Sequence, residues 1–432
     1  MRLMPQNLRA PWVPFVIASV VFTVLVGALN GAWNLWSLLV LQVPVPVEHH
    51  QSHALAQVFG FMWLLKVGIS FHLAPRLMGG APPSPKLVKS VALAGISGVT
   101  LLVLGRFGSL LPGSALMGLV GAVLLLAAVA MWTRFFWQLF LRRPTPTDWL
   151  PAFVTSGASW WLFSAVMLLG WQLGQSIGGP LARVPFDLVT MSGLLGGTGG
   201  CILGITLRAG ACAMRIRHPR LSRQGVGFVA WQLGTVALLV KTLTPYESWS
   251  DVLWLGPALA IVVMVWVVRP FQKVAPAMGP EPLIRFAMVA SWAFGLAGAV
   301  LMTWQALALF GVTQPPLLRD AARHAFTLGF GQLGVLAFAG RMVPGFEGVR
   351  LPARGVFDAG ILFVTAGAGL RLLSVFGPSR GALVASGISG PLALIGVGLV
   401  SWCLLRALRG GAVLRRELET SRAAITVRLV EA

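Results

Sequence analysis

Apolar stretches of roughly twenty residues or more alternate with short clusters of charge, proline and glycine along the whole chain. A helix needs about 20 mostly apolar residues to cross the hydrocarbon core of a bilayer. Bounded by those breaks, the stretches predict helices near 12–33, 53–74, 87–107, 114–141, 149–171, 185–209, 224–243, 250–269, 286–310, 319–343, 353–376 and 381–407. Both faces of such helices are apolar, so periodicity does not mark the side that faces the interior.

Composition sharpens the picture. Of 432 residues 56% are hydrophobic and 10% charged, with a mean hydropathy of +0.82, against about 25% charged in soluble domains. A soluble enzyme is excluded. The net charge of +21 would point to nucleic acid in a soluble chain, but no basic segment carries a recognition motif. The 33 Lys and Arg fall between the apolar stretches. Counting connections from the N-terminus, one side collects 25 of them and the other 7, with Lys66 left inside a span. That bias predicts that the basic side, with both termini, is cytoplasmic. The first apolar run has no small-residue cleavage site and reads as a retained helix. Cys201, Cys212 and Cys403 form no CxxC pair and predict neither disulfides nor a metal cage.

The expected fold is all-α, a polytopic membrane bundle of about twelve transmembrane helices in three pseudo-repeats of four. The units run at about 12–143, 149–273 and 285–407 within one membrane domain, with a basic cytoplasmic tail at 408–432. The repeat is read from Gly68-Ile-Ser-Phe-His72, Gly204-Ile-Thr-Leu-Arg208 and Ala337-Phe-Ala-Gly-Arg341, spaced by 136 and 133 residues. Trp132, Trp266 and Trp402 close the last helix of each unit, and Phe15, Phe153 and Phe286 open the first. Repeat interfaces are where membrane proteins place their sites.

Histidine is the main candidate chemistry. His53 and His324 enter the second and tenth helices on the non-cytoplasmic side, where two imidazoles at one depth can ligate a single metal. Haem b suits such a pair, because imidazole is a good axial ligand to iron and the plate wants an apolar pocket. Gly60 and Gly329 are expected to let the plate approach. Arg319, Arg323, Arg371 and Arg380 are expected to meet its propionates. His49 and His50 read as loop residues that can substitute for His53 or hold copper, and His72, the remaining metal-ligand candidate, reads as a helix C-cap. His218 is read as solvated. Lys66 lies inside the second span, where a charge is a functional candidate by default. Asp358 is its expected partner on a proton or solute path. Asp187 and Asp320 stand at helix starts, where acids need no function. Gly196-Gly-Thr-Gly-Gly200 reads as close helix packing or a kink, and no P-loop, HExxH or GxSxG motif occurs.

The segment from His53-Ala-Leu-Ala-Gln57 through Gly60-Phe61 and Gly68 to Pro75-Arg76 resembles the second-helix region of the NnrS family. Arg323-His324-Ala-Phe-Thr-Leu-Gly329-Phe330 through Arg341-Met-Val-Pro344 resembles its later repeated segment. The two stretches cover about a tenth of the chain, and helix count and length fit over all of it. The resemblance implies a bacterial inner-membrane protein associated with haem and copper and with the response to nitric oxide. His53 and His324 also resemble, more distantly, the low-spin haem ligands of the haem-copper oxidase main subunit. The sixth and seventh helices contain no histidine and no His-Tyr pair exists, so the oxidase's catalytic centre is incomplete here. The expectation is a haem-binding membrane protein that meets nitric oxide or a similar diatomic. Two alternatives stand beside it: a transporter of a small solute using Lys66 and Asp358, and an assembly or scaffold subunit touching respiratory-chain components.

Overall fold

The computed structural model describes residues 10–107, 112–142, 148–177, 185–244, 248–272, 282–376 and 379–431. Arg2, Arg9, Arg143, Arg183 and Lys273, part of the charge count, lie outside the described residues. Among the described residues twelve helices are long and apolar enough to cross a membrane, and there is no strand. They are α1 (Val13–Leu41), α2 (Val47–Met78), α3 (Pro85–Phe107), α4 (Ser114–Leu141), α5 (Leu150–Ile177) and α6 (Phe186–Met214). α7 (Leu221–Leu243), α8 (Trp249–Val268), α9 (Leu283–Phe310), α10 (Leu318–Glu347), α11 (Arg354–Phe376) and α12 (Arg380–Glu431) complete them. Lipid offers backbone groups no hydrogen bonds, so each span satisfies its own. The chain is a multi-pass membrane protein.

The helices differ most from expectation at their ends. α2 begins at Val47, so His49 and His50 belong to a helix and not to a loop. It also runs to Met78, where Gly79 at φ 73° supplies the left-handed cap that ends it. The segment read as a tail continues α12 without a break to Glu431. Glu347, buried at the end of α10, accepts from Trp12 Nε1 at 2.7 Å and pairs with Arg415 of that continuation.

Three helices form the centre. In the most apolar stretch of each span, 83% of α2 and α6 and 67% of α10 are buried, against at most half elsewhere. The outer helices turn residues such as Leu93, Leu116, Leu233, Leu259 and Val300 outward, as a lipid-facing surface requires. Around the ring, α3 packs on α4, α7 on α8 and α11 on α12; α4 meets α5, α8 meets α9 and α12 returns to α1.

Each central helix widens to π-helical turns near its middle, at Ala56–Trp63 in α2, Ser192–Gly199 in α6 and Ala325–Gln332 in α10, and α6 widens again at Thr206–Gly210. A glycine in each mid-helix notch accepts an aromatic ring from the preceding outer helix. A Cβ at Gly60 would stand 2.6 Å from Phe22, one at Gly196 2.5 Å from Trp160, and one at Gly329 2.5 Å from Phe294. Gly60 and Gly329 therefore make room for phenylalanine, which corrects the expectation that they clear space for a haem plate. The landmarks of the repeat differ in their packing. Phe15 and Phe153 are fully buried against Gly68 and Gly204, but Phe286 is 42% exposed and its neighbour Ala287 takes the buried place. Trp132 is likewise buried and donates to Ser70, whereas Trp266 and Trp402 are exposed beneath Arg223 and Arg406.

Candidate functional site

A cavity of about 410 Å³ opens between α1, α2, α6, α10, α11 and α12 on the face opposite the basic one. Its size lies in the range of about 300–1,000 Å³ common for small-molecule sites. His53, His324 and His50 line it together with Arg323, Arg371 and Asp320. The two histidines singled out in the sequence thus meet one space.

Both rings are fixed in the same manner. His53 Nδ1 donates to the Gly27 carbonyl at 2.7 Å, and His324 Nδ1 donates to the Asp320 carbonyl at 2.9 Å. A carbonyl only accepts, so each Nδ1 carries a proton, and in the neutral ring the lone pair stays on Nε2. The Asp320 carboxylate lies 3.3 Å from His324 Nδ1 as well. Metal-bound histidines are oriented by such bonds from the other ring nitrogen to a carbonyl or carboxylate. Measured from the notch glycines, His53 stands seven residues before Gly60 and His324 five before Gly329, an offset of about 3 Å along the helices.

The charges around the rings form two groups. Arg371, 4% exposed, pairs with Asp320. Arg319 and Arg323 both bind Asp187 across the α6–α10 contact, at 2.6 and 3.0 Å. Arg380 is exposed at the start of α12 and does not line the cavity. Several buried polar atoms on the wall have no hydrogen-bond partner: both amide atoms of Asn34, Gln332 Nε2, and Arg371 Nε and Nη1. Native proteins leave few such atoms. Here they point to a ligand with polar edges. A haem fits this donor set, with two lone-pair imidazoles for iron and an arginine with unused N–H groups for a carboxylate.

The remaining candidates lie elsewhere. His49 faces Phe107 at 5.7 Å between ring centroids. His72 packs between Trp12 and Phe346 at the basic end of α2, about 28 Å along the helix from His53. Among the described residues no three His, Cys, Asp or Glu side chains gather closely enough to hold a metal ion, so the copper expectation has no cluster behind it. Asp358 is paired with Arg354 at 3.7 Å one turn into α11, and Lys66 bonds Thr198, so the two are not partners. His218 is not simply solvated: Nδ1 donates to the Leu207 carbonyl at 3.2 Å.

Sequence reasoning missed the other half of the site. Gly31 leaves the space that the His53 ring fills, and Gly27 leaves the space for Gln57. Both lie in α1, whose contribution no motif announces. Asp187 and Asp320, which a helix start alone suffices to explain, are the counter-ions of the arginines.

No protein-family model matches the chain, and no curated protein matches it significantly in sequence.

Proposed function

We propose that this protein binds one haem b between His53 and His324 and acts in the response to nitric oxide or nitrosative stress, as an NnrS-like protein of the bacterial inner membrane. The supporting observation is the matched pair of imidazoles. Two rings on one cavity, each with Nδ1–H spent on a carbonyl, present two free Nε2 lone pairs. Arg371, and Arg323 beside it, would hold the propionates.

When bound, haem supplies a redox-active iron able to interact with diatomic ligands. The chain's own residues orient the imidazoles, exclude bulk water from the inner wall and balance the carboxylates. His53 and His324 would hold the group, and room for a diatomic would need one of these two rings to give way. His324 lies on the more polar wall, beside Asp320, and is the ring we expect to yield.

The recurrence of wide turns and aromatic notches at near-equal spacing supports a pseudo-threefold fold of three four-helix units. The charge bias supports a cytoplasmic basic face, and the haem cavity would then open toward the opposite side of the membrane. A solute path retains one supporting feature, the place of Lys66 on the inner cavity, bonded to Thr198 on the next gap. The scaffold reading has none in the described residues.

The test is haem content of the full-length protein purified in mild detergent. The expected result is near one b-type haem per chain. A folded protein that stays colourless when expressed with added haem would overturn the reading.

A further inference from the structure

Cavities follow one another along the central helices. The large cavity reaches inward to Met62 and Leu194. A narrow gap bordered by Met62, Thr198, Ile202 and Gly331 comes next. Beyond it a cavity of about 80 Å³ touches Lys66, Cys201 and Ile202 and extends to Leu77 and Met78 at the basic end of α2. Lys66 lines the inner cavity, and Thr198, which it bonds, lines the gap.

This lysine does not snorkel. It lies twelve residues before the end of α2, about 18 Å along the helix, and its side chain crosses to the neighbouring central helix. Nζ donates to Thr198 Oγ1 at 3.3 Å and lies 4.6 Å from the centre of the Trp161 ring. An ammonium has three N–H donors, and one is used. Among the described residues no carboxylate pairs with it, in contrast to Lys241, which meets Asp251 at 2.7 Å. Ser70 and Ser291 on the wall spend their O–H groups on the Val67 and Met288 carbonyls and so offer an anion no donor. The rest of the wall is largely apolar.

A cation held among apolar walls needs a counter-charge, because its desolvation is otherwise uncompensated. We propose that Lys66 binds a small monovalent anion at the head of the inner cavity. The ammonium supplies charge and two N–H donors, and the Trp161 face holds it in place. Walls with few free donors cannot replace a tight hydration shell, so the site should favour weakly hydrated anions of a few atoms over strongly hydrated ones. The cavity size sets the same limit. This site is distinct from the haem cavity and does not depend on haem being bound.

Iodide is the probe. The full-length protein in detergent is titrated with potassium iodide at constant ionic strength against gluconate, reading tryptophan fluorescence and, in parallel, calorimetric heat. The expected result is a saturable component that weakens at least tenfold in Lys66→Met and Lys66→Gln and stays within a few-fold in Lys66→Arg. Each variant is first checked for monodisperse elution and wild-type helicity, and the glutamine variant serves if the methionine variant does not fold. Wild-type protein with only linear, collisional quenching and no binding heat would overturn the proposal. So would a charge-free variant that binds iodide as the wild type does.

Discussion

The His53 ring occupies the space that a side chain at Gly31 would fill: a Cβ there would stand 2.4 Å from ring Cε1 and 2.7 Å from Nδ1. Contacts under 3.0 Å force something to move, and the Gly27 carbonyl, one turn earlier on the same helix, holds the ring against this face of α1. Gly31→Ala should therefore rotate or displace the imidazole, and Gly31→Val should expel it. We expect haem retained per chain to fall several-fold in the alanine variant and nearly completely in the valine variant, read by pyridine haemochrome. Unchanged haem content in Gly31→Val would place the iron ligand elsewhere.

Arg371 is buried beside Asp320, and removing it leaves that carboxylate facing a cavity without its partner. Breaking a buried pair costs about 3–5 kcal/mol; Asp320 borders a cavity, so about 2 kcal/mol is the better expectation for Arg371→Leu. The thermal midpoint in detergent should drop accordingly. Haem affinity should drop with it, and Arg371→Lys should recover stability more fully than haem binding, because an ammonium cannot reproduce the planar guanidinium fork.

The notches give a coupled prediction. Gly60→Ala and Gly329→Ala each drive a methyl into an aromatic ring, and overpacking of this kind costs about 1–3 kcal/mol. Phe22→Leu should rescue Gly60→Ala, and Phe294→Leu should rescue Gly329→Ala, in double-mutant cycles read by thermal unfolding. Swapping the partners should rescue neither. If the glycines served a haem plate instead, the alanine variants would lose haem without regard to the phenylalanines.

The number of spans and the His53–His324 pair were legible in the sequence because both rest on strong, local signals: stretches too apolar for water, and imidazoles at the mouths of two helices. The ends of α2 were not, since His49 and His50 make Val47–Leu55 polar on average although helix geometry continues through it. Gly60 and Gly329 were noticed for the right property, smallness, but assigned the wrong neighbour. Only packing reveals that Phe22 and Phe294 fill those notches. Asp187 and Asp320 were set aside because a helix-start acid has a sufficient local reason. Their arginine partners come from chain-distant positions or from another helix, which no local pattern reports.

Glu347 joins α1, α10 and the continuation of α12 through Trp12 and Arg415. Glu347→Gln keeps the shape and an acceptor for Trp12 but removes the charge that Arg415 meets. Limited trypsin digestion should then cut at Arg415 and Arg416 faster than in the wild type. Equal rates would mean that the contact does not restrain the helix end.

The most direct test of the haem assignment is the reduced-minus-oxidised absorption spectrum of purified wild type, His53→Ala and His324→Ala. The account predicts a low-spin b-type spectrum in the wild type and, in each variant, loss of haem or conversion to a high-spin form. A low-spin spectrum unchanged by both substitutions would contradict it.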